Sequence, residues 1–287
     1  MFIKSKPGKF GIKLWVAAKA KNFYACNMQV YTGKNVGVWE KKQGLQVVKD
    51  MVCHVYGKRR GVTADNFFTS CEVANFLLTK NMTVVGTLRK NKHEIPALFL
   101  TGKQSDVHSS IFDFTSDLTL VSYVPARNKT VILISSQHHD NTCMGEEKDH
   151  KTEIMMQYNA TKSGFDILDL LLRDHTCTRS IRCWPLTLFL NFVDVACVNA
   201  FVLWMLKYPN WQQKKNNCRH LYLLSLGEEM VTPYVRRRAD SGNMDRHTRS
   251  AMRAMDVTCK QPISTTNVKK DGGIWCGKCS ICRTAKD

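Results

Sequence analysis

Apolar and polar positions alternate from Gly11 to Leu14 and then run unbroken through Trp15, Val16, Ala17 and Ala18, the pattern of a strand. Phe23 to Thr32 predicts a second strand, closed by Gly33-Lys34-Asn35. From Gly44 to Tyr56 the apolar residues Leu45, Val48, Val52 and Val55 recur every three or four positions, which predicts an amphipathic helix. Val62-Thr63-Ala64 reads as a short buried strand ending at Asp65, and Ser70 can cap a helix through Val73, Phe76 and Leu77. Met82 to Leu88 is another β-rich run. The order strand, strand, helix, strand, helix, strand is an α/β pattern.

Between Lys90 and Asp149 the pattern changes. Asp113–Val124 and Thr130–Ser135 predict a hairpin joined by Pro125-Ala126-Arg127-Asn128-Lys129 and trailed by a polar loop. This segment reads as a β-rich insertion or as the edge of the same sheet. His138, His139 and Cys143 fall in the polar loop without metal-ligand spacing, so an ordinary surface loop is expected there. After Ser163 the chain is mainly helical. Pro185 to Leu206 is long enough to span a bilayer, but Asn191, Asp194 and Asn199 would be costly there. A helix buried in a core, with no membrane partner, is the expectation. Beyond Tyr208 the chain turns basic, with Arg236, Arg237 and Arg238 followed by Arg246, Arg249 and Arg253.

Composition sharpens this picture. The 287 residues are 44% hydrophobic and 9% aromatic, which fits a globular chain with a sizeable core rather than a disordered one. Forty-two basic against 24 acidic residues leave a net charge of +18, which favours a phosphate-rich partner. A solubilising surface would give the same surplus. Met1-Phe2-Ile3 is followed at once by Lys4, with no apolar signal region. The 12 cysteines are therefore expected to be reduced, as in a nuclear or cytosolic protein.

Two segments offer candidate chemistry. Asp65 follows small and β-branched residues, so its carboxylate is expected at the carboxyl edge of a sheet, where open α/β folds bind ligands. An aspartate that merely turns the chain fits equally. In the second segment Ser163 or Gly164 can start a helix, with Asp166, Asp169 and Arg173 on one stripe and Phe165, Leu168 and Leu172 on an adjoining apolar one. There Asp169 can also pair with Arg173, and Asp166 can simply complement the helix dipole.

The wider sequence resembles the piggyBac-type transposases. The resemblance is carried by Lys6-Pro7 with Lys9-Phe10-Gly11-Ile12-Lys13, by Asp65-Asn66-Phe67-Phe68-Thr69-Ser70 and by Val85-Gly86-Thr87-Leu88-Arg89-Lys90-Asn91-Lys92 with Ile95-Pro96. It continues through Leu120-Val121-Ser122-Tyr123, Tyr158-Asn159, Thr161-Lys162, Asp166-Ile167-Leu168-Asp169, Arg179, Arg182, Trp184-Pro185, Asp194 and Asn199-Ala200. It implies an RNase H-like core whose three aspartates bind Mg²⁺ and which cuts and joins DNA at TTAA sites. Asp65 would be the second catalytic aspartate and Asp166 the third, with Asp169 a supporting acid. Arg89, Lys90, Lys92, Arg179 and Arg182 would lie near them and contact DNA. The run Arg236, Arg237, Arg238 would contact DNA separately, or serve as a solvated linker or nuclear-import signal.

One departure matters. In the family the first catalytic aspartate precedes the Lys-Pro segment, and here no acid precedes Glu40. The expectation is a core lacking its first strand, an unpaired sheet edge, weak metal binding and no transposition by this chain alone. At the other end, Cys276, Cys279 and Cys282 form overlapping C-x-x-C knuckles with Cys259 upstream. They resemble the start of the family's zinc-binding tail, and free thiols without Zn²⁺ fit them equally.

The expected organisation is therefore a first part of the core over 1–89, a β-rich insertion over 90–150, a catalytic-helix and buried-helix part over 151–208, a basic linker over 209–258, and a truncated cysteine-rich tail over 259–287. Three functions stay open: an inactive, nuclear, DNA-binding remnant, an active enzyme completed from another segment or subunit, and a domesticated DNA- or chromatin-binding protein. A homodimer is a further candidate assembly.

Overall fold

The structure, a computed structural model, describes residues 2, 4, 10–33, 42–100, 106–144, 150–212, 214–240, 244–254, 257 and 258. Lys6, Pro7, Lys9, Lys34, Asn35 and the tail cysteines Cys259, Cys276, Cys279 and Cys282 lie outside the described residues. The chain divides into two compact units, Met1–Asn216 and Asn217–Asp287.

In the first unit, β1 (Leu14–Ala18) and β2 (Ala25–Val30) form an antiparallel hairpin that is a two-stranded sheet of its own. Helix α1 (Gln43–Val52) follows, then β3 (Gly61–Ala64), α2 (Cys71–Thr79) and β4 (Thr83–Thr87). The strands β5 (Ser110–Phe114), β6 (Thr119–Ala126) and β7 (Lys129–Ser135) complete a five-stranded sheet of order β3-β4-β7-β6-β5. Only β3 and β4 pair in parallel. The strands of segment 90–150, β5 to β7, thus lie in one sheet with β3 and β4. The run Asp113–Val124 is two strands rather than one, because Thr115 and Leu118 bond each other across a turn. The last described strands are the short pair β8 (Cys143–Met144) and β9 (Lys151–Thr152).

Alternation along β4 and β7 divides the core between the two faces of this sheet. Val84, Ile132 and Ile134 pack with Val47, Met51, Val73 and Leu77 from α1 and α2, whereas Val85 and Leu133 pack with Ile154 and Met155 of α3 (Glu153–Asp174). Burying each such side chain contributes about 1.5–3 kcal/mol. Strand β3 is half-exposed rather than buried, because it is the end strand and hydrogen-bonds β4 alone among the described strands.

Helix α3 begins eleven residues before Gly164, capped by the Thr152 hydroxyl, which accepts from the Met155 amide at 3.3 Å. Ser163 and Gly164 therefore lie mid-helix and start nothing. Gly164 is there for contact, since a Cβ on it would stand 2.9 Å from Cα of Ala20. Leu168 is fully buried and Leu172 partly so, but Phe165 is 48% exposed and leaves the expected apolar stripe.

Helix α4 (Trp184–Lys207) also departs from expectation. Asp194, Val195, Val198 and Val202 are buried, yet Trp184, Leu186, Phe189, Phe192, Leu203 and Leu206 are exposed. Among the described residues it is the one helix long and apolar enough to cross a membrane. It is anchored on one stripe rather than enclosed by a core.

The second unit is helical: α5 (Cys218–Ala239) and α6 (Arg246–Ala254) bury Val235, Ala239, Met244 and Met252 together. Arg236, Arg237 and Arg238 occupy the last turn of α5, where cations complement the helix dipole.

Candidate functional site

Asp65 stands at the carboxyl end of β3 and is exposed. The chain turns on it: its carbonyl accepts from the Phe68 amide at 2.9 Å, the Thr69 amide at 3.1 Å and the Thr69 hydroxyl at 2.9 Å. Its own Oδ1 accepts from the Asn66 amide at 2.6 Å. The turn reading and the sheet-edge reading of Asp65 thus describe the same residue. Ser70 then caps α2 by accepting from the Val73 amide at 3.2 Å.

Two neighbours fix the turn. Gly86 of β4 passes beneath it, and a Cβ there would lie 2.3 Å from Oγ1 of Thr69 and 2.7 Å from the Ala64 carbonyl oxygen. Phe67 stacks on the buried Trp15 with ring centroids 5.4 Å apart, tying the turn to β1.

Asp166 is exposed in the middle of α3, well past the first turn, so it does not serve the helix dipole. The Thr63 hydroxyl of β3 donates to Oγ1 of Thr161 on α3 at 2.7 Å, and this bond sets the helix against the strand. Asp65 lies two residues beyond one end of the bond and Asp166 five beyond the other. Asp169 makes an ion pair with Arg173 at 3.2 Å, so its helix-stabilising reading holds.

The predicted cations divide into three sets. Arg89 sits at the site: its Nε donates to Oδ1 of Asn66 at 3.2 Å, and its guanidinium lies 5.4 Å from the Phe67 ring centroid. Lys90 and Lys92 follow in the turn after β4. Arg179 and Arg182 are exposed on the connection between α3 and α4. That connection is held by the buried carboxylate of Asp194, which accepts from the Thr176 hydroxyl at 2.6 Å, the Cys177 amide at 2.9 Å and the Thr178 hydroxyl at 3.4 Å. Burial first, and then the hydrogen bond and charge of Asp194, push the Cys177 thiol up to about 11. Arg236, Arg237 and Arg238 belong to the second unit.

His138 is not on a surface loop. It is buried, its ring Nδ1 lies 2.8 Å from the Ser135 hydroxyl, and its carbonyl accepts from the Thr119 hydroxyl at 2.6 Å. His139 and Cys143 are exposed.

A divalent ion needs several oxygen ligands converging at about 2.0–2.6 Å. Among the described residues no three His, Cys, Asp or Glu side chains come together to hold one. Asp65 and Asp166 would supply at most part of a Mg²⁺ shell, with water and phosphate oxygens completing it.

The sequence placed Lys13 and Thr161 in segments of the resemblance but gave neither a role here. Lys13, just before β1, and Trp15 share a face by their spacing of two, which was the available signal for the first. Nothing local marked the bond of Thr161, whose partner is 98 residues away.

Comparison with known proteins agrees with the fold. A family model described as Transposase IS4 matches residues 1–201. A piggyBac transposase solved by cryo-electron microscopy as a synaptic complex with hairpin DNA has the same fold, with a TM-score of 0.78 and 30% sequence identity. The likeness covers 98% of this chain and 59% of that one. The chain therefore belongs to the IS4 transposases, of piggyBac type, and carries their RNase H-like α/β core.

Proposed function

We propose that this chain is a nuclear, DNA-binding core of the cut-and-paste transposase lineage, which engages element DNA but does not cleave it unaided. The observation that carries the reading is the seat of Arg89 on Asn66, which sets a guanidinium beside Asp65 at the end of β3. Arg179 and Arg182 on the loop held by Asp194 and the net charge of +18 support it further. The DNA complex of the similar transposase gives the partner class. The TTAA preference of piggyBac-type relatives is the sequence to test first.

A second reading, an active enzyme completed by a carboxylate from outside these 287 residues, is favoured by one observation. β3 is an end strand with β4 as its sole partner among the described strands, so a further strand has a place beside Asp65.

One experiment tests both. Fluorescence anisotropy on duplex DNA containing TTAA should show affinity falling tenfold or more between about 50 and 200 mM salt. The same duplex with Mg²⁺ or Mn²⁺ should remain uncut. A flat salt response sinks the DNA reading, and nicking abolished by Asp65→Asn establishes the second one.

A further inference from the structure

Lys13 has no role in the site as described so far, yet it is the most constrained cation near it. Its Nζ stands 3.6 Å from the Trp15 ring centroid, 5.0 Å from that of Phe67 and 5.6 Å from that of Tyr31. The ammonium thus stands against an aromatic cluster that is itself packed, since Trp15 is 7% exposed and touches Tyr31, Phe67 and Phe68. Phe67 carries a second cation, because the Arg89 guanidinium is 5.4 Å from the same ring. One aromatic side chain, two residues past Asp65, thus gathers two positive groups, from just before β1 and just after β4.

Two cations on one ring concentrate positive charge there, and each aromatic face contributes only about 0.5–2 kcal/mol, so an anion can add to both. Among the described residues no carboxylate comes within ion-pair distance of Lys13 or Arg89. Burial lowers the Lys13 pKa, so its charged form is held in an environment that lacks a compensating group. Asn66 fixes the direction of Arg89, and Trp15 fixes that of Lys13, so both cations are positioned before a ligand arrives. Preorganised cations bind a polyanion without first losing side-chain freedom.

We propose that Lys13 and Arg89, joined through Phe67, form a two-point clamp for the phosphodiester backbone of a DNA strand passing Asp65. This rests on the DNA-binding reading above and adds to it a specific contact from Lys13 at the entry to β1, a segment that reading does not use.

The test is duplex binding by anisotropy across a salt series, with the full chain and its Lys13→Met, Lys13→Arg and Arg89→Gln variants. Methionine keeps the apolar stem over Trp15 and removes the charge. Each charge-removing variant should flatten the log–log salt slope by about 0.9, the value for one phosphate contact. Lys13→Arg should keep the wild-type slope. Thermal melting of each variant separates this from unfolding. A Lys13→Met chain with the wild-type slope overturns the clamp while leaving the DNA reading intact. A Lys13→Met chain that loses thermal stability yet keeps the slope overturns it too, because the lysine is then only a cover for Trp15. A wild-type chain with no salt-dependent binding removes both inferences together.

Discussion

The hydroxyl of Thr63 on β3 donates to that of Thr161 on α3 across 2.7 Å, joining the strand that ends at Asp65 to the helix that carries Asp166. The Thr161 hydroxyl in turn donates to the Gln157 carbonyl at 2.7 Å, so the two hydroxyls form a directed chain. Valine at either position keeps the shape and deletes the bond. Thr161→Val should cost about 1 kcal/mol in urea unfolding. A double-mutant cycle with Thr63→Val should return a coupling of roughly 0.5 kcal/mol or more, and strict additivity would show that the bond contributes nothing.

Gly86 is required by the backbone beneath Asp65. A methyl group there meets Thr69 and the Ala64 carbonyl oxygen, and the latter cannot rotate away. Gly86→Ala should lower stability by about 1–3 kcal/mol, read as a fall in Tm. Adding Thr69→Ala should recover only part of the loss, since the clash with Ala64 persists. Full recovery would place the whole strain on the Thr69 side chain.

Cys177 gives a pH-dependent readout of the loop bearing Arg179 and Arg182. Its thiol is raised from an ordinary 9.0 to about 11, first by burial and then by Asp194. At pH 8 the thiolate is then roughly one part in a thousand, and alkylation by iodoacetamide should quicken with pH until about 11. The folded state holds this proton more tightly than the unfolded one. Its contribution to stability is therefore complete below about pH 9 and is lost as pH rises toward 11. In Asp194→Asn the thiol should titrate lower and react faster at pH 8. Cys177 is exposed like Cys53, so its reacting as fast as Cys53 in the unaltered chain would contradict this assignment.

The outer stripe of α4 should bind hydrophobic probes. Phe189 and Leu203 are 59% and 53% exposed on a helix whose opposite stripe is anchored. Phe189→Ser with Leu203→Ser should lower the fluorescence of bound ANS without lowering Tm. Unchanged fluorescence would move the probe's site elsewhere.

What the sequence made legible was local. The cap at Ser70, the three-and-four spacing of α1 and the apolar run of β4 each depend on neighbours along the chain, and each appears in the structure. The errors came from contacts across it. Gly164 reads as a helix start, since glycine inside a helix costs about 1 kcal/mol, but Ala20 leaves no room there for a side chain. His138 lies among polar residues in sequence and is buried by Ser135 and Thr119 in space. The apolar character of α4 was plain, but hydropathy does not reveal which stripe finds a partner. At the site, the place of Asp65 was readable, whereas its link to α3 through Thr161 was not.

The amide of Asn199 on α4 accepts from the Ala25 backbone N–H at 2.8 Å and returns a hydrogen bond to the Ala25 carbonyl at 3.0 Å. These are the two bonds that a neighbouring strand would make, supplied here by a single side chain. A strand offers its own far edge to the next strand, whereas an asparagine on a helix offers nothing further. At Ala25 the hairpin is therefore sealed, and sheet growth from β2 stops at a residue 174 positions later in the chain.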